Sequence, residues 1–133
     1  LSNTYFANGV FPTRRVLDAG VKVGMGTDIA GGAEPGLLHQ CALAVDASRA
    51  VADIDAVTAF HLGTVGGAGV VGLPVGVLAP GYQFDAIVVD TAGAALRAWD
   101  GIHDHARVFE KIVRLARPVD IADVWVAGVQ TRR

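Results

Sequence analysis

The sequence predicts an α/β fold, and three observations support this prediction. Residues 12–19 have helical character with proline in the first turn, and Gly20 is placed to end that helix in the left-handed conformation. A β-branched, apolar run of strand length follows at residues 21–25. Further apolar runs of strand length occur at residues 84–90 and 119–127. Helix, glycine and buried strand in succession are typical of an α/β unit.

Helical spacing of apolar residues predicts three longer helices. The first runs from Leu37 to Ala52, and the second runs from Ile54 to about Gly69 with Asp53 as its N-cap. The third covers about residues 105–116, with Asp104 as its N-cap. The remaining stretches are predicted as a loop tail, a turn-rich connector and an irregular segment, at residues 1–4, 74–80 and 91–102.

Composition excludes several classes of function. The 133 residues carry 13 acidic and 11 basic side chains, so no basic field is available to attract a phosphate backbone, and nucleic acid is not an expected partner. No uninterrupted apolar run reaches the roughly 18–20 residues that a membrane span needs. Cys41 is the single cysteine, which rules out an internal disulfide and an all-cysteine metal cluster. With no signal-peptide pattern at its start, the chain is expected to be soluble and cytoplasmic.

A glycine-rich loop at residues 26–33 carries Asp28 directly after the first predicted strand, where α/β folds bind ligands. A dinucleotide-binding loop would need glycine at Ile29, and a Walker loop would need lysine at Gly32. A carboxylate between glycines suits a metal ligand or a general base, because the missing side chains leave room for an ion or a substrate. The alternative is that Asp28 caps a turn or the following helix.

Residues 21–32 read Val-Lys-Val-Gly-Met-Gly-Thr-Asp-Ile-Ala-Gly-Gly. This stretch resembles the Gly-Thr-Asp segment of the amidohydrolase superfamily, and it is most similar to that of the guanine deaminases. Residues 60–68 resemble the family's Ala-Thr-x-Gly-Gly helix, and residues 80–90 resemble its Pro-Gly-Lys-x-Ala-Asp strand, with Tyr82 in place of the usual lysine. Residues 109–128 resemble the closing helix and strand. The resemblance therefore covers nearly the whole chain in order.

This resemblance implies the C-terminal part of a metal-dependent hydrolase (β/α)₈ barrel, together with strands of a flanking small β-sandwich domain. Residues 1–72 would form the end of the barrel, with the last barrel strand at about residues 21–26. Residues 73–133 would supply segments of the small sheet domain, including the late helix at about residues 105–116. The length agrees, because 133 residues are about half of the roughly 250 that a complete barrel needs.

The resemblance also implies a chemistry for Asp28. In the family, the aspartate of Gly-Thr-Asp ends the eighth barrel strand, binds or faces the catalytic zinc, and acts as a base toward the water that the zinc holds. Asp28 is therefore the expected catalytic and metal-binding residue, in an enzyme that converts guanine and water to xanthine and ammonia. The family's histidine ligands lie upstream of Leu1. The chain alone is thus expected to be inactive, to need the upstream half of the enzyme as a partner, and to form a homo-oligomer.

Two alternatives stay open. The Gly-Thr-Asp and Pro-Gly segments are shared by amidohydrolases that act on other rings, such as a cytosine-like ring or a chlorinated triazine. A different class of function is a truncated, non-catalytic module for folding or dimerisation, because strand edges and apolar helix faces without partners favour self-association.

The other reactive side chains have structural explanations beside their chemical ones. His39, near the start of the helix after the glycine loop, is a candidate for contact with the substrate, whereas His61 is expected to be a core histidine on an apolar helix face. His103 and His105 match a His-x-His ligand pair, but they directly precede a predicted helix, which favours surface or capping roles. Cys41 is expected to pack in the core, because no cysteine–histidine pair is evident.

Overall fold

The computed structural model describes residues 2–32, 34–49, 54–99 and 101–132. Within these ranges the α-helices are α1 (Ser2–Tyr5), α2 (Thr13–Asp18), α3 (Leu37–Ser48), α4 (Ala56–His61), α5 (Gly67–Val71) and α6 (His105–Leu115). The strands are β1 (Ala86–Val89), β2 (Ile121–Val126) and β3 (Val129–Arg132). A π-helical turn, Leu62–Gly66, joins α4 to α5, and a 3₁₀ turn, Pro118–Asp120, precedes β2. No helix in the described part of the chain is both long enough and apolar enough to cross a bilayer.

Two helix boundaries confirm their sequence predictions. Helix α2 is followed by Gly20 at φ +74°, whose N–H donates to the carbonyl of Leu17 at 2.9 Å. Helix α6 starts directly after Asp104, whose carboxylate accepts a hydrogen bond from the backbone N–H of Arg107 at 2.8 Å. Both signals act within a few residues, so the local sequence is sufficient to place them.

The start of the second long helix differs from its prediction. Helix α4 begins at Ala56, and Asp55 is the N-cap, because its carboxylate accepts a hydrogen bond from the N–H of Thr58 at 2.8 Å. The predicted N-cap, Asp53, and the predicted end of the preceding helix at Ala52 lie outside the described residues. The helical run after Asp55 extends through α4, the π-helical turn and α5.

The hydrophobic core lies where α3, α4 and α6 pack together. Phe60 of α4 contacts Phe109 of α6 edge to face, with ring centroids 5.2 Å apart. The buried members of this cluster are Cys41, Val45, Ile54, Ala56, Ala59 and Val113. Small alanines on α4 bring the three helices close together, so α6 is part of the same core as the helices before residue 73. The predicted domain boundary between residues 72 and 73 stays a prediction.

The three strands form one antiparallel sheet in the order β1-β2-β3. β1 and β2 confirm the strands predicted at residues 84–90 and 119–127, although both are shorter. β3 was not predicted. The turn between β2 and β3 is held against the start of β1, because the N–H of Ala127 donates to Asp85 Oδ1 at 2.7 Å and the N–H of Gly128 donates to the carbonyl of Phe84 at 2.8 Å.

Two segments near the start of the chain differ from their predictions. Residues 21–26, predicted as the last barrel strand, belong to no ladder with another described strand. A strand is defined by hydrogen bonds to a neighbouring strand, and here the N–H of Met25 donates instead to the carbonyl of Leu62 at 2.9 Å. Residues 2–4, predicted as loop, belong to the short helix α1.

Candidate functional site

The loop that carries Asp28 is tightly closed on itself. Asp28 and Ala30 have left-handed backbone conformations, at φ +47° and φ +78°. The N–H of Gly32 donates to the backbone carbonyl of Asp28, and Ile29 and Gly32 form an isolated parallel bridge. Aspartate tolerates a left-handed conformation better than alanine does, so the backbone strain of this loop falls mainly on Ala30.

Two glycines make this closure possible. A Cβ atom on Gly32 would overlap the carbonyl oxygen of Thr27, so no larger residue fits at that position. A Cβ atom on Gly31 would lie 2.9 Å from Oδ2 of Asp28. The absent side chains therefore leave space directly beside the Asp28 carboxylate.

The side chain of Asp28 is exposed, and it accepts no hydrogen bond from any residue in the described ranges. Helix α3, which follows the loop, has Gly36 at its N-cap without a side-chain hydrogen bond. Asp28 is therefore not the N-cap of α3, and within the described residues its carboxylate caps no turn. Its carboxylate is open, which is the state that a metal ligand or a general base requires.

The π-helical turn contacts the segment that leads to Asp28. The sequence analysis did not predict this contact. The Met25 N–H bond to the Leu62 carbonyl links the segment to the π-helical turn. A Cβ atom on Gly66 would lie 2.6 Å from the carbonyl oxygen of Val23, which shows how closely the two backbones approach. The signal available in the sequence was the pair of adjacent glycines in the resembling helix motif, because paired glycines often mark a close approach of two backbones.

His39 and His61 differ in their burial. His39 is the third residue of α3 and is half-buried, so its contact with a substrate stays a prediction. His61 is exposed, and the prediction that it is a core histidine is wrong. The buried face of this helical run consists of Ala56, Ala59 and Leu62, and His61 lies on the opposite side.

His103 and His105 are engaged in local structure. The Nδ1 atom of His103 accepts a hydrogen bond from the backbone N–H of Trp99 at 3.0 Å, which stabilises the turn before α6. His105 is the exposed first residue of α6, directly after the N-cap Asp104. His105 confirms the expected surface role, whereas His103 is half-buried and stabilises a turn.

Cys41 packs in the core, as the sequence predicts. Its side chain is only 1% exposed, and its Sγ atom donates to the carbonyl oxygen of Ala59 at 3.5 Å. Burial raises the pKa of the thiol to about 11. Because the thiolate is the nucleophilic form, this thiol is unreactive at neutral pH.

The family model for the amidohydrolase family matches residues 1–131 of the chain. The chain belongs to the amidohydrolase family. The match covers the Asp28 loop, the π-helical turn, β1, β2 and all of β3 except Arg132. Amidohydrolase membership thus applies to the whole arrangement described above, and not only to the Gly-Thr-Asp segment.

Relatives of this amidohydrolase chain include a probable guanine deaminase from Schizosaccharomyces pombe. It is 33% identical to the chain, and the alignment covers 96% of the chain and 26% of that protein. A guanine deaminase from C. acetobutylicum, solved with guanine in its active site, superposes with a TM-score of 0.86 at 26% identity, over 97% of the chain and 32% of that protein. An adenosine deaminase from Xanthomonas campestris with bound zinc superposes with a TM-score of 0.79 at 25% identity, over 98% of the chain and 30% of that protein. The chain spans less than a third of each of these proteins.

Amidohydrolases are generally metal-dependent, and the residues of this chain fit one part of a metal site. A catalytic zinc site uses three protein ligands and an open position. No group of three or more His, Cys, Asp or Glu side chains in the described ranges could hold a metal ion together. The open carboxylate of Asp28 has the donor chemistry of one ligand position.

Proposed function

We propose that this chain is the C-terminal part of a zinc-dependent guanine deaminase, with Asp28 as its catalytic and metal-binding carboxylate. The observation that carries the proposal is the placement of Asp28 in a tightly closed loop, with an exposed carboxylate that no described residue engages. The likeness to a guanine deaminase with guanine in its active site supports the choice of substrate.

The proposal assigns residues 1–72 to the end of the barrel and residues 73–133 to segments of the flanking sheet domain. Residues 21–26 would be the last barrel strand, and the strands that complete its ladder would come from the upstream half. Within the described residues this stretch pairs with no strand, so the assignment rests on its resemblance to the family's Gly-Thr-Asp segment. Val21 is 53% exposed, as an apolar strand residue without its neighbours would be.

The large accessible surface of the chain supports the proposal that a partner covers part of it. It measures 8555 Å², whereas a folded monomer of 13.7 kDa exposes about 6600 Å². The excess of about 2000 Å² on this chain alone is larger than the roughly 800 Å² that each partner buries in a standard protein interface. The most exposed large apolar side chains are Tyr5, Ile29, Val57, Val71, Leu78, Val119 and Val129. We assign the upstream half of the enzyme as the partner that covers much of this surface.

In the proposed reaction, guanine and water give xanthine and ammonia. A zinc ion, when bound, lowers the pKa of water and so makes a nucleophile available at neutral pH. The Asp28 carboxylate accepts a proton from the attacking water, because it is an open base with no competing hydrogen bond from the described residues. Asp28 supplies one of the three protein ligands that such a site needs, so the isolated chain is expected to be inactive.

Adenosine is the second candidate substrate, because an adenosine deaminase shares the same fold over nearly the whole chain. A panel of guanine, adenosine, cytosine and a chlorinated triazine, assayed with the complete enzyme, separates these substrates. We expect the highest kcat/KM with guanine. A higher kcat/KM with another compound would contradict guanine as the substrate, but it would not contradict the proposed role of Asp28.

The decisive variant is Asp28→Asn in the complete enzyme. It removes the base and weakens the metal ligand, so we expect kcat for ammonia release to fall by at least about 100-fold. Asp46→Asn is the matched control, because Asp46 is an exposed aspartate on α3, away from the loop. Full activity of the Asp28→Asn variant would contradict the proposal.

Metal analysis of the isolated chain tests the alternative of a non-catalytic module. The proposed enzyme part is expected to hold no stoichiometric zinc when it is separated from the upstream half. A stable homodimer of the isolated chain, together with an upstream half that deaminates guanine without it, would favour the dimerisation module instead.

A further inference from the structure

We infer that the π-helical turn Leu62–Gly66 positions Asp28, and that Gly24 and Gly66 are positioning residues for the reaction. The inference rests on the proposed function, because it concerns the same carboxylate. It adds residues that do not touch the substrate but that set where the catalytic group stands.

The first link is a hydrogen bond between backbones. The carbonyl oxygen of Leu62 accepts the N–H of Gly67 within the helix, five residues on, as π-helical pairing requires. The same oxygen also accepts the N–H of Met25 at 2.9 Å. Met25 is three residues before Asp28, so this bond ties the segment that carries Asp28 to the turn.

The second link is steric. A Cβ atom on Gly66 would lie 2.6 Å from the carbonyl oxygen of Val23 and 3.2 Å from that of His61. A Cβ atom on Gly24 would lie 2.8 Å from the Cα atom of Gly67. All of these neighbours are backbone atoms, which cannot rotate away as the end of a side chain can. Adding a methyl group at either glycine must therefore displace the segment at residues 23–28 or the helix.

The turn is itself held from two other directions, so it is the segment at residues 23–28 that is expected to move. A Cβ atom on Gly63 would contact Sγ of Cys41 at 3.3 Å, in the core beside α3. A Cβ atom on Gly76 would lie 2.8 Å from the carbonyl carbon of Thr64, so the connector after α5 presses on the same turn. A displacement of about 1 Å at a catalytic group can reduce a rate by about 100-fold.

The test compares alanine substitutions at two glycines of the same helical run, Gly66 and Gly69, in the complete enzyme. Gly66→Ala is expected to lower kcat for guanine deamination at least about tenfold, with KM changed by less than about twofold, because the base moves while the substrate contacts stay. Gly69→Ala is the matched control, since a Cβ atom there meets no atom within 4 Å. The control is expected to keep the activity of the unsubstituted enzyme.

A second measurement separates positioning from a general loss of stability. Hydrogen exchange at the Met25 amide is expected to accelerate in Gly66→Ala, because its bond to Leu62 is lost. Val113→Ala removes volume from the core, where Val113 is 1% exposed, and destabilises the enzyme without touching the turn. This variant is expected to keep both kcat per folded enzyme and slow Met25 exchange.

Unchanged kcat in Gly66→Ala would overturn the inference, and so would an equal loss of kcat in Val113→Ala. Failure of the proposed function gives a different pattern, because Asp28→Asn would then remain active. Met25 exchange reports on the contact between the turn and its segment in either case. Slow Met25 exchange in Gly66→Ala would show that the added methyl group leaves the bond to Leu62 intact and does not displace the segment, which would also overturn the inference.

Discussion

Single side chains set helix ends in this protein, and Asp55 is the clearest example. Hydrogen bonding from the N–H of Thr58 is the main cause that lowers the pKa of the Asp55 carboxyl below its ordinary value of 3.8. A lowered pKa means that the folded state favours the ionised carboxylate. The stabilising effect of the charge is therefore present above pH 3.8 and is lost as the pH falls through the lower pKa of the folded state.

We expect Asp55→Ala to lower the free energy of unfolding by about 1 kcal/mol at pH 7. Asp55→Asn is expected to cost less, because the asparagine oxygen still accepts the Thr58 N–H. Chemical denaturation at pH 7 and at several values below pH 3.8 measures both effects. Equal stability of the three proteins at pH 7 would show that the cap contributes nothing.

At the residue scale, predictable features were those whose partners lie within one helical turn. Gly20 and Asp104 were predicted from sequence, because a C′ glycine and an N-cap act on backbone groups a few residues away. The burial of His61 was predicted wrongly, since it depends on which helix face meets α3 and α6. That face is built from small residues such as Ala56 and Ala59, which an apolar pattern of large side chains does not reveal.

At the scale of elements, glycine contacts fix how the segments pack. Gly76 and Gly81 both have left-handed backbones, at φ +83° and +91°. A Cβ atom on Gly76 would also lie 2.9 Å from the carbonyl oxygen of Thr64, whereas one on Gly81 would meet nothing within 4 Å. The two positions therefore share backbone strain and differ in the space available.

Replacement of each glycine by alanine separates these two effects. We expect Gly81→Ala to cost about 1–2 kcal/mol from the left-handed backbone alone. Gly76→Ala is expected to cost at least about 1 kcal/mol more, because it overpacks the π-helical turn. Urea denaturation of both variants measures the difference. An equal loss of unfolding free energy in both variants would mean that the connector shifts to accommodate the added methyl group at residue 76.

The elements that sequence predicted correctly are those with strong local patterns, such as α6, β1 and β2. The segment at residues 21–26 has the composition of a strand, but strand pairing needs a neighbour that the described residues do not supply. β3 has few apolar residues, and its turn is Ala127–Gly128 in place of the Asn-Gly or Asp-Gly signal that marks a hairpin.

For the whole molecule, the open apolar surface predicts the behaviour of the chain in isolation. We expect the purified chain to bind a hydrophobic dye strongly and to self-associate in size-exclusion chromatography, because its surface exceeds that of a typical monomer by about 2000 Å². Co-expression with the proposed upstream half is expected to suppress both effects. A monomeric chain that binds no dye would contradict this expectation.

The catalytic competence of the whole molecule could be predicted only in part. The position of Asp28 at the end of an apolar run is a local signal, and its open carboxylate agrees with it. The ligands of a metal site cannot be predicted from such a local signal, because they come from residues far apart in sequence. His39 illustrates the difficulty, since its position near the loop in sequence does not establish contact with a substrate.

The hairpin of β2 and β3 also has a consequence for the order of folding. Its strands are joined by only Ala127 and Gly128, both at positive φ, so it can form early from local contacts. β1 pairs with β2 across more than 30 residues, and closing that longer loop is slower. During synthesis β1 therefore leaves the ribosome well before β2, and the edge that pairs with β2 stays open until that strand has emerged.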